Sequence, residues 1–345
     1  MSIFGVLTGG GDCPGLNAAI RAATRGFMAH GHDVIGIRNG WRGLAEDAMV
    51  PLTRRAVAGI LPRGGTVLGT SGYNPYREDS GVEAILDTTR SLSIEGVVAI
   101  GGEGTLIAAH RLHREEAYQV VGVPKTIDND LAGTDVTIGF DTAVHICTEA
   151  IDRLHTTAES HNRVMVVEVM GRNTGWIAAA SGIAGGADVI LVPEEPAAIE
   201  DVCDHVRRRH DAGRDFSIVV VAEGYALTRR TGEQDAPVVQ ELDTYGYARL
   251  GGIGRVVAED ISRLTGFETR VTVLGHVQRG GTPTARDRLL ATRLGLKAAE
   301  LAMAGAWGRM AAVRGNEIGD VSLQEATAMR KGLPPEWIEA GRIVA

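Results

Sequence analysis

Residues Ile3 to Ala29 read IFGVLTGGGDCPGLNAAIRAATRGFMA, and this stretch decides the fold class. Ile3 to Leu7 is a short apolar run of the length a buried strand needs. Gly9, Gly10, Gly11, Asp12, Cys13, Pro14 and Gly15 interrupt it, and Asn17 to Ala29 resumes with apolar residues at helical spacing. A strand, a glycine turn and a helix make half of a βαβ unit. The same order recurs along the chain. Apolar or β-branched runs fall at Asp33 to Ile37, Gly96 to Ile100, Gln119 to Val123, Arg163 to Val169, Val189 to Val192, Phe216 to Ala222 and Arg270 to Leu274. Between them, Thr105 to His113, Asp141 to Ser160 and Ile253 to Thr265 carry apolar residues at i, i+3 and i+4. The expectation is an α/β protein whose sheets are covered on both faces.

The chain has 345 residues, enough for one large or two ordinary domains. Its hydrophobic fraction of 44% and charged fraction of 23% exclude a disordered or fibrous chain. Glycine is in excess, 46 residues against a usual share of roughly 7%, so many tight turns and close backbone approaches are expected. A net charge of −8 without a long Lys or Arg run gives no nucleic-acid footprint. Cys13, Cys147 and Cys203 form no CxxC and are odd in number, which points away from disulfides and zinc and toward a reducing, cytoplasmic setting. Neither a secretory leader nor a membrane span is expected. The polar stretch from Leu227 to Gly252 suggests a long loop or hairpin inserted into the core fold.

The chemistry-bearing residues cluster where strands end. The turn from Gly9 to Gly15 precedes a helix, so main-chain N–H groups and the helix dipole can hold a phosphate. Pro14 stands where a dinucleotide fingerprint needs its third glycine, and no Lys-Ser or Lys-Thr follows Gly15 as a P-loop requires. A plain tight turn is the competing explanation. Gly101, Gly102, Glu103, Gly104 and Thr105 form a second such turn, with Glu103 suited to Mg²⁺ or simply to the helix dipole. Pro124 to Asp130, PKTIDND, brings an ammonium, a hydroxyl and two carboxylates together; one carboxylate can take a proton from an attacking hydroxyl, and a solvated Asx-turn is the alternative. Arg172 and Arg279 follow two further strands, and with Arg163 and Arg270 they suggest an anionic substrate. Glu223 ends another strand and is placed to accept from sugar hydroxyls. His276 has no second histidine at metal-ligand spacing and is assigned to a sugar phosphate rather than to a metal.

In this order GVLTGGGDCPGLNAAIR, GGEGT, PKTIDND, GFDTA, EAIDRLH, SHNR, EVMGRNTGW and TVLGHVQRGGTPTA resemble the bacterial phosphofructokinase family over most of the chain outside 224–252. The resemblance implies two Rossmann-like domains with mainly parallel sheets. Residues 1–139 with about 278–328 would bind nucleotide, and 140–277 with about 329–345 the sugar phosphate, with an insertion near 227–252. It further implies an ATP-dependent 6-phosphofructokinase of glycolysis that makes fructose 1,6-bisphosphate. Asp128 would be the base, Thr126 would lie beside the transferring phosphoryl, and Arg172 would stabilise its charge. His276 and Arg279, with Arg163 and Arg270 reaching from a neighbouring subunit, would hold the 6-phosphate of fructose 6-phosphate, and Met170, Gly171 and Glu223 would line the sugar. Gly10, Tyr73, Arg77, Gly102, Glu103, Gly104 and Thr105 would face the nucleotide, with Glu103 at the Mg²⁺ position.

The chain departs from the family's usual pattern in three respects. Gly104 matches ATP users, whereas Lys125 matches pyrophosphate users; an Asp at 104 would crowd the α-phosphate of a nucleotide, so Gly104 favours ATP. Gly72 replaces an arginine that bridges the two substrates in many relatives, a charge that Lys125 is placed to supply. Arg21, Arg25 and Arg54 match an effector site, but His155 and Asp188 stand where an arginine and a glutamate are usual, which argues against effector control. A homotetramer or homodimer is expected, because arginines borrowed from a neighbour cannot serve a monomer. The competing functions are the pyrophosphate-dependent reaction, a catalytically weak sugar-phosphate sensor, and a nicotinamide dehydrogenase, the last disfavoured by Pro14 and Arg38.

Overall fold

A computed structural model describes residues 1–235, 237, 239–242 and 248–344. The chain divides into two compact units, Met1–Thr142 with Arg279–Lys331, and Ala143–Gln278 with Gly332–Ala345.

The first unit carries β1 (Ile3–Gly9), α1 (Leu16–Ala29), β2 (Asp33–Ile37), α2 (Trp41–Ala45), β3 (Met49–Pro51), α3 (Gly81–Ser91), β4 (Ile94–Gly101), α4 (Glu103–Glu116) and β5 (Val120–Pro124). The long helix α5 (Phe140–His161) crosses into the second unit. That unit holds β6 (Val164–Val169), α6 (Trp176–Ala184), β7 (Val189–Leu191), α7 (Ile199–Asp211), β8 (Ser217–Ala222), β9 (Val239–Leu242), β10 (Ala248–Leu250), α8 (Ile253–Thr265) and β11 (Thr269–Val273). A 3₁₀ turn, Gly275–Arg279, leads to α9 (Ala285–Met303), β12 (Arg309–Arg314), β13 (Glu317–Ser322) and α10 (Leu323–Ala328) of the first unit, and α11 (Pro335–Val344) ends the chain in the second.

The strands of the first unit lie in the order β13-β12-β5-β4-β1-β2-β3. Its central members β5, β4, β1 and β2 are parallel, and β13 and β3 run antiparallel to their neighbours. The second sheet, β11-β6-β8-β7, is parallel throughout. In both, the central strands are buried along nearly their whole length, as a sheet covered on both faces requires. One core gathers Leu7, Ile37, Trp41, Val97 and Leu106; the other gathers Val166, Leu191, Val219, Val221 and Val257. Each such side chain contributes about 1.5–3 kcal/mol by leaving water.

The eight expected strands are present, with boundaries displaced by a residue or two. The sequence reading did not anticipate β3, β12 or β13. In β13 only Val321 is buried, so no apolar run marks it, and β12 carries two alanines in place of β-branched residues. Within the expected loop or hairpin, β9 and β10 pair antiparallel, while 236, 238 and 243–247 lie outside the described residues. Glu168 of β6 anchors the start of α8: its buried carboxylate accepts from the N–H groups of Gly252, at 2.9 Å, and Gly254, at 2.8 Å. Among the described residues no helix is long and apolar enough to cross a membrane.

Candidate active site

In the first unit three expected motifs lie at the carboxyl ends of neighbouring strands in the middle of the sheet. Gly101 of β4 is the register partner of both Gly9 of β1 and Pro124 of β5, so the two glycine turns and the PKTIDND segment emerge from adjacent parallel strands. The chain leaves β1 toward β2 and β4 toward β5, in opposite directions across the sheet, which makes the β1/β4 boundary the switch point where open α/β sheets bind ligands.

Local contacts fix each motif. Thr70 Oγ1 donates to the Gly10 carbonyl at 2.5 Å, and the Gly10 N–H donates to the Ser71 carbonyl at 3.2 Å. Lys125 is buried, and its ammonium donates to the carbonyl of Gly11. Burial lowers the Lys125 pKa and Arg279 adds to this, while Cys13, Asp12 and Asp128 oppose it. The Arg279 guanidinium packs on Gly11 so closely that a Cβ there would lie 2.8 Å from Nη1. The sequence groups Arg279 with His276 as a phosphate contact; within the first unit its guanidinium lies against the first glycine turn. The reason is the short 3₁₀ turn, at whose end the chain passes back into the first unit.

Around the carboxylates, Thr126 Oγ1 accepts from the Asp128 N–H at 3.1 Å and lies 3.4 Å from Asp128 Oδ2. Thr137 Oγ1 donates to the Thr126 carbonyl at 2.6 Å, and its N–H donates to Asn129 Oδ1 at 3.1 Å. Lys331, which the sequence did not single out, closes the turn from far along the chain. Its N–H donates to the Asp130 carbonyl at 2.8 Å, and its ammonium donates to Asn129 Oδ1 and to the carbonyls of Thr134 and Asp135. Asp128 and Asp130 are both buried. Burial raises the Asp130 pKa to about 7, with the charges of Asp128 and Glu103 adding to the effect.

Glu103 opens α4 and pairs with Arg330 at 3.1 Å. Among the described residues no three His, Cys, Asp or Glu side chains converge as metal ligands, so a divalent ion here would lean on phosphate oxygens for most of its coordination. The residues fit that use: the mutual repulsion of Glu103, Asp128 and Asp130 is what a cation relieves. Beside them the buried Thr105 hydroxyl has no hydrogen-bond partner among the described residues, a capacity that a phosphate oxygen would meet. Gly102 and Gly104 flank Glu103 in this turn. Tyr73 and Arg77 lie on the segment before α3; Tyr73 is half-buried, which raises its pKa, and Arg77 is exposed.

In the second unit the loops after β6, β8 and β11 come together. Leu274 donates its N–H to the Glu168 carbonyl and Glu223 its N–H to the Val169 carbonyl, at 3.0 and 2.8 Å. The Glu223 carboxylate accepts the Arg172 N–H at 3.0 Å, so this residue, expected to face a sugar, also shapes the loop that carries Arg172. Gln278 Oε1 accepts the Met170 N–H at 3.2 Å and the Cys147 thiol at 3.1 Å. Gly171 adopts φ 145°, where its missing side chain avoids a clash at 2.5 Å with the Thr174 carbonyl. Gly224 lets the Arg172 carbonyl approach to 1.8 Å of where a Cβ would stand. His276 is exposed on the 3₁₀ turn. Arg163 and Arg270 both pair with Glu268, the former at 3.0 Å. These contacts, led by the hydrogen bond from Arg163, hold the Glu268 carboxyl below its usual range.

Glu268, Gln278, Gly224, Arg330 and Lys331 are among the residues the sequence does not single out. Gln278 sits inside a quoted motif, and its burial was the missing signal. The two positions that depart from the effector-site pattern are engaged locally: His155 Nε2 bonds the Gly185 carbonyl at 2.7 Å, and Asp188 pairs with Arg209 at 2.5 Å. Asp287 is structural, since its carboxylate caps the start of α5 through Gly139 and Thr142.

Two glycine turns at a switch point, beside a buried carboxylate and a lysine, define a phosphate-handling α/β enzyme. The phosphofructokinase family model matches residues 3–302, and the chain belongs to that family of phosphotransferases. It is 56% identical over 339 residues, 97% of each chain, to a pyrophosphate–fructose 6-phosphate 1-phosphotransferase of Streptomyces coelicolor. It is 51% identical over 332 residues, 96% of each chain, to ATP-dependent 6-phosphofructokinase 3 of the same organism. Among solved structures it is similar to Pichia pastoris phosphofructokinase in the T-state, with TM-score 0.84 and 33% identity over 95% of this chain, which spans 35% of that longer chain.

Proposed function

We propose that the protein transfers the γ-phosphoryl group of ATP to the 1-hydroxyl of fructose 6-phosphate, giving fructose 1,6-bisphosphate and ADP in cytoplasmic glycolysis. The observation that carries this reading is the shared register of Gly9, Gly101 and Pro124, by which the two glycine turns and the Asp128 segment leave the same ends of three adjacent parallel strands.

Asp128 takes the hydroxyl proton as the oxygen attacks phosphorus, and Thr126 orients the carboxylate through its contact with Oδ2. Mg²⁺, when bound through Glu103 and the donor's phosphates, supplies charge neutralisation. Arg172 bears on the transferring charge, with its backbone held by Glu223. Met170, Gly171 and Glu223 line the sugar, and His276, Arg279, Arg163 and Arg270 provide cationic contacts for its phosphate. The last two act from a neighbouring copy in a homotetramer or homodimer. Gly10, Tyr73, Arg77 and the turn Gly102 to Thr105 face the nucleotide.

Gly104 leaves room for the α-phosphate of a nucleotide and favours ATP. Pyrophosphate is the second reading, favoured by buried Lys125 at the first turn and by the name of the 56%-identical relative. A coupled assay offers fructose 6-phosphate and Mg²⁺ with either ATP or pyrophosphate, and Asp128→Asn serves as the blank. Turnover with ATP alone supports the proposal, turnover with pyrophosphate alone reverses the donor, and silence with both overturns the acceptor or the activity itself.

A further inference from the structure

A cavity of about 320 Å³ opens in the second unit, walled by α7, α11 and the edge strand β7. None of the residues assigned above to substrate binding or catalysis lines it. Its size falls at the lower end of small-molecule sites. Leu191, Val202, Trp337 and Ile338 give it an apolar lining, and His205 and Arg208 bring polar groups from successive turns of α7.

The charges around the cavity are unequal in availability. Asp188 is engaged by Arg209 at 2.5 Å, Glu195 by Arg342 at 2.6 Å and Asp201 by Arg230 at 2.6 Å. Arg208 is exposed and forms no ion pair among the described residues. His205 Nε2 is buried without a hydrogen-bond partner among the described residues, an unmet capacity of a kind folded proteins seldom leave. Burial, with Arg208 and Arg209 nearby, lowers the pKa of this imidazole and keeps it neutral near pH 7, while Asp188 opposes the shift.

We infer that this cavity is a ligand site for a small monoanion with an aromatic or bulky aliphatic body, of which an aromatic carboxylate or sulfonate is the simplest example. The body lies on the apolar lining, the anion meets Arg208, and His205 supplies one further hydrogen bond. A polyphosphate does not fit, because one available cation faces several negative charges and three carboxylates, though paired, surround the site. The site also has a built-in reporter. Trp337 stands edge-on to Trp176 with ring centroids 5.6 Å apart, so an aromatic ligand against Trp337 perturbs the emission of both.

The test titrates the full chain with 1-anilinonaphthalene-8-sulfonate and, separately, with its uncharged analogue N-phenyl-1-naphthylamine, following energy transfer from tryptophan. One sulfonate per chain should bind, about tenfold more tightly than the neutral analogue, as one charge-assisted contact implies. Arg208→Gln should remove that preference without altering turnover or melting. Gly341→Leu, which fills the cavity from α11, should abolish both probes. Equal affinity of the wild type and Arg208→Gln for the sulfonate overturns the site, whether or not the filling variant folds. Displacement of the probe by ATP or fructose 6-phosphate overturns it as well, since the probe would then occupy the substrate site.

Discussion

The Lys125 ammonium donates a hydrogen bond to the main-chain carbonyl of Gly11, tying the end of β5 to the first glycine turn. A buried lysine is costly unless its charge is used, and here it meets a carbonyl beside the place where donor phosphates are expected. Lys125→Met keeps the stem and deletes the charge. We expect a stability loss of about 1–3 kcal/mol from the orphaned Gly11 carbonyl, read by denaturant unfolding. Turnover with the preferred donor should fall about tenfold or more, because one phosphate-directed cation is gone. Unchanged turnover would remove Lys125 from the donor side. The paired change Gly72→Arg with Lys125→Gly should retain activity if the lysine replaces the missing arginine charge, and collapse if it does not.

Gly224 touches the Arg172 loop through space that only hydrogen can fill. With the Arg172 carbonyl 1.8 Å from an added Cβ, Gly224→Ala must displace the loop. Arg172 holds φ 50°, a left-handed conformation that the Glu223 contact to its N–H helps maintain, so displacement moves its guanidinium. The expected result is a fall in kcat of about 100-fold, as small misplacements of a catalytic group produce, together with a stability loss of about 1–3 kcal/mol. Wild-type kcat in the variant would show that the loop is free to shift.

Much of this site was legible because its residues follow strands, and strand ends in a parallel sheet carry chemistry whatever the sequence between them. That logic singled out the two glycine turns, Glu103 and the Pro124 to Asp130 segment, whereas the individual roles of Gly10, Thr126 and Asp128 came from the family resemblance. What stayed hidden is contact across long sequence separation. Arg330 reaches Glu103 over 227 positions, and Lys331 reaches Asn129 over 202. Nothing local in the tail of the first unit marks either residue, since a single exposed Arg or Lys is usually solvated surface. Glu268 was hidden differently: its carboxylate lies two residues from Arg270, but its link to Arg163 needs β6 and β11 to be neighbours, which only the sheet order reveals.

Glu103 and Arg330 give a prediction with opposite signs for two variants. Their pair is partly exposed, with side chains 23% and 34% accessible, so breaking it should cost no more than about 1 kcal/mol. Glu103→Gln removes a carboxylate suited to Mg²⁺ and should raise the Mg²⁺ concentration for half-maximal activity about tenfold. Arg330→Met frees the carboxylate from a competing cation and should lower that concentration. A shift of both variants in the same direction would mean that the pair acts only on structure.

Lys331 supplies a pH test of the Asp130 turn. Burial lowers its pKa from 10.5 to about 8, with Asp135 and Asp130 pulling the other way. The folded state therefore releases this proton more readily than the unfolded chain does. Between pH 8 and 10.5 the unfolded state binds more protons at this site, so stability contributed by the site rises with pH across that window and is flat below it. Lys331→Met retains the apolar stem, loses the hydrogen bonds to Asn129, Thr134 and Asp135, and has no proton to exchange. The variant should be less stable at pH 7. The difference from wild type should widen from about pH 8 to about 10.5, because only the wild type gains the linked stability. Thermal unfolding of both proteins at half-unit pH steps reads this directly. A difference that stays constant over the window would place the lysine at an ordinary pKa and remove it from the buried turn.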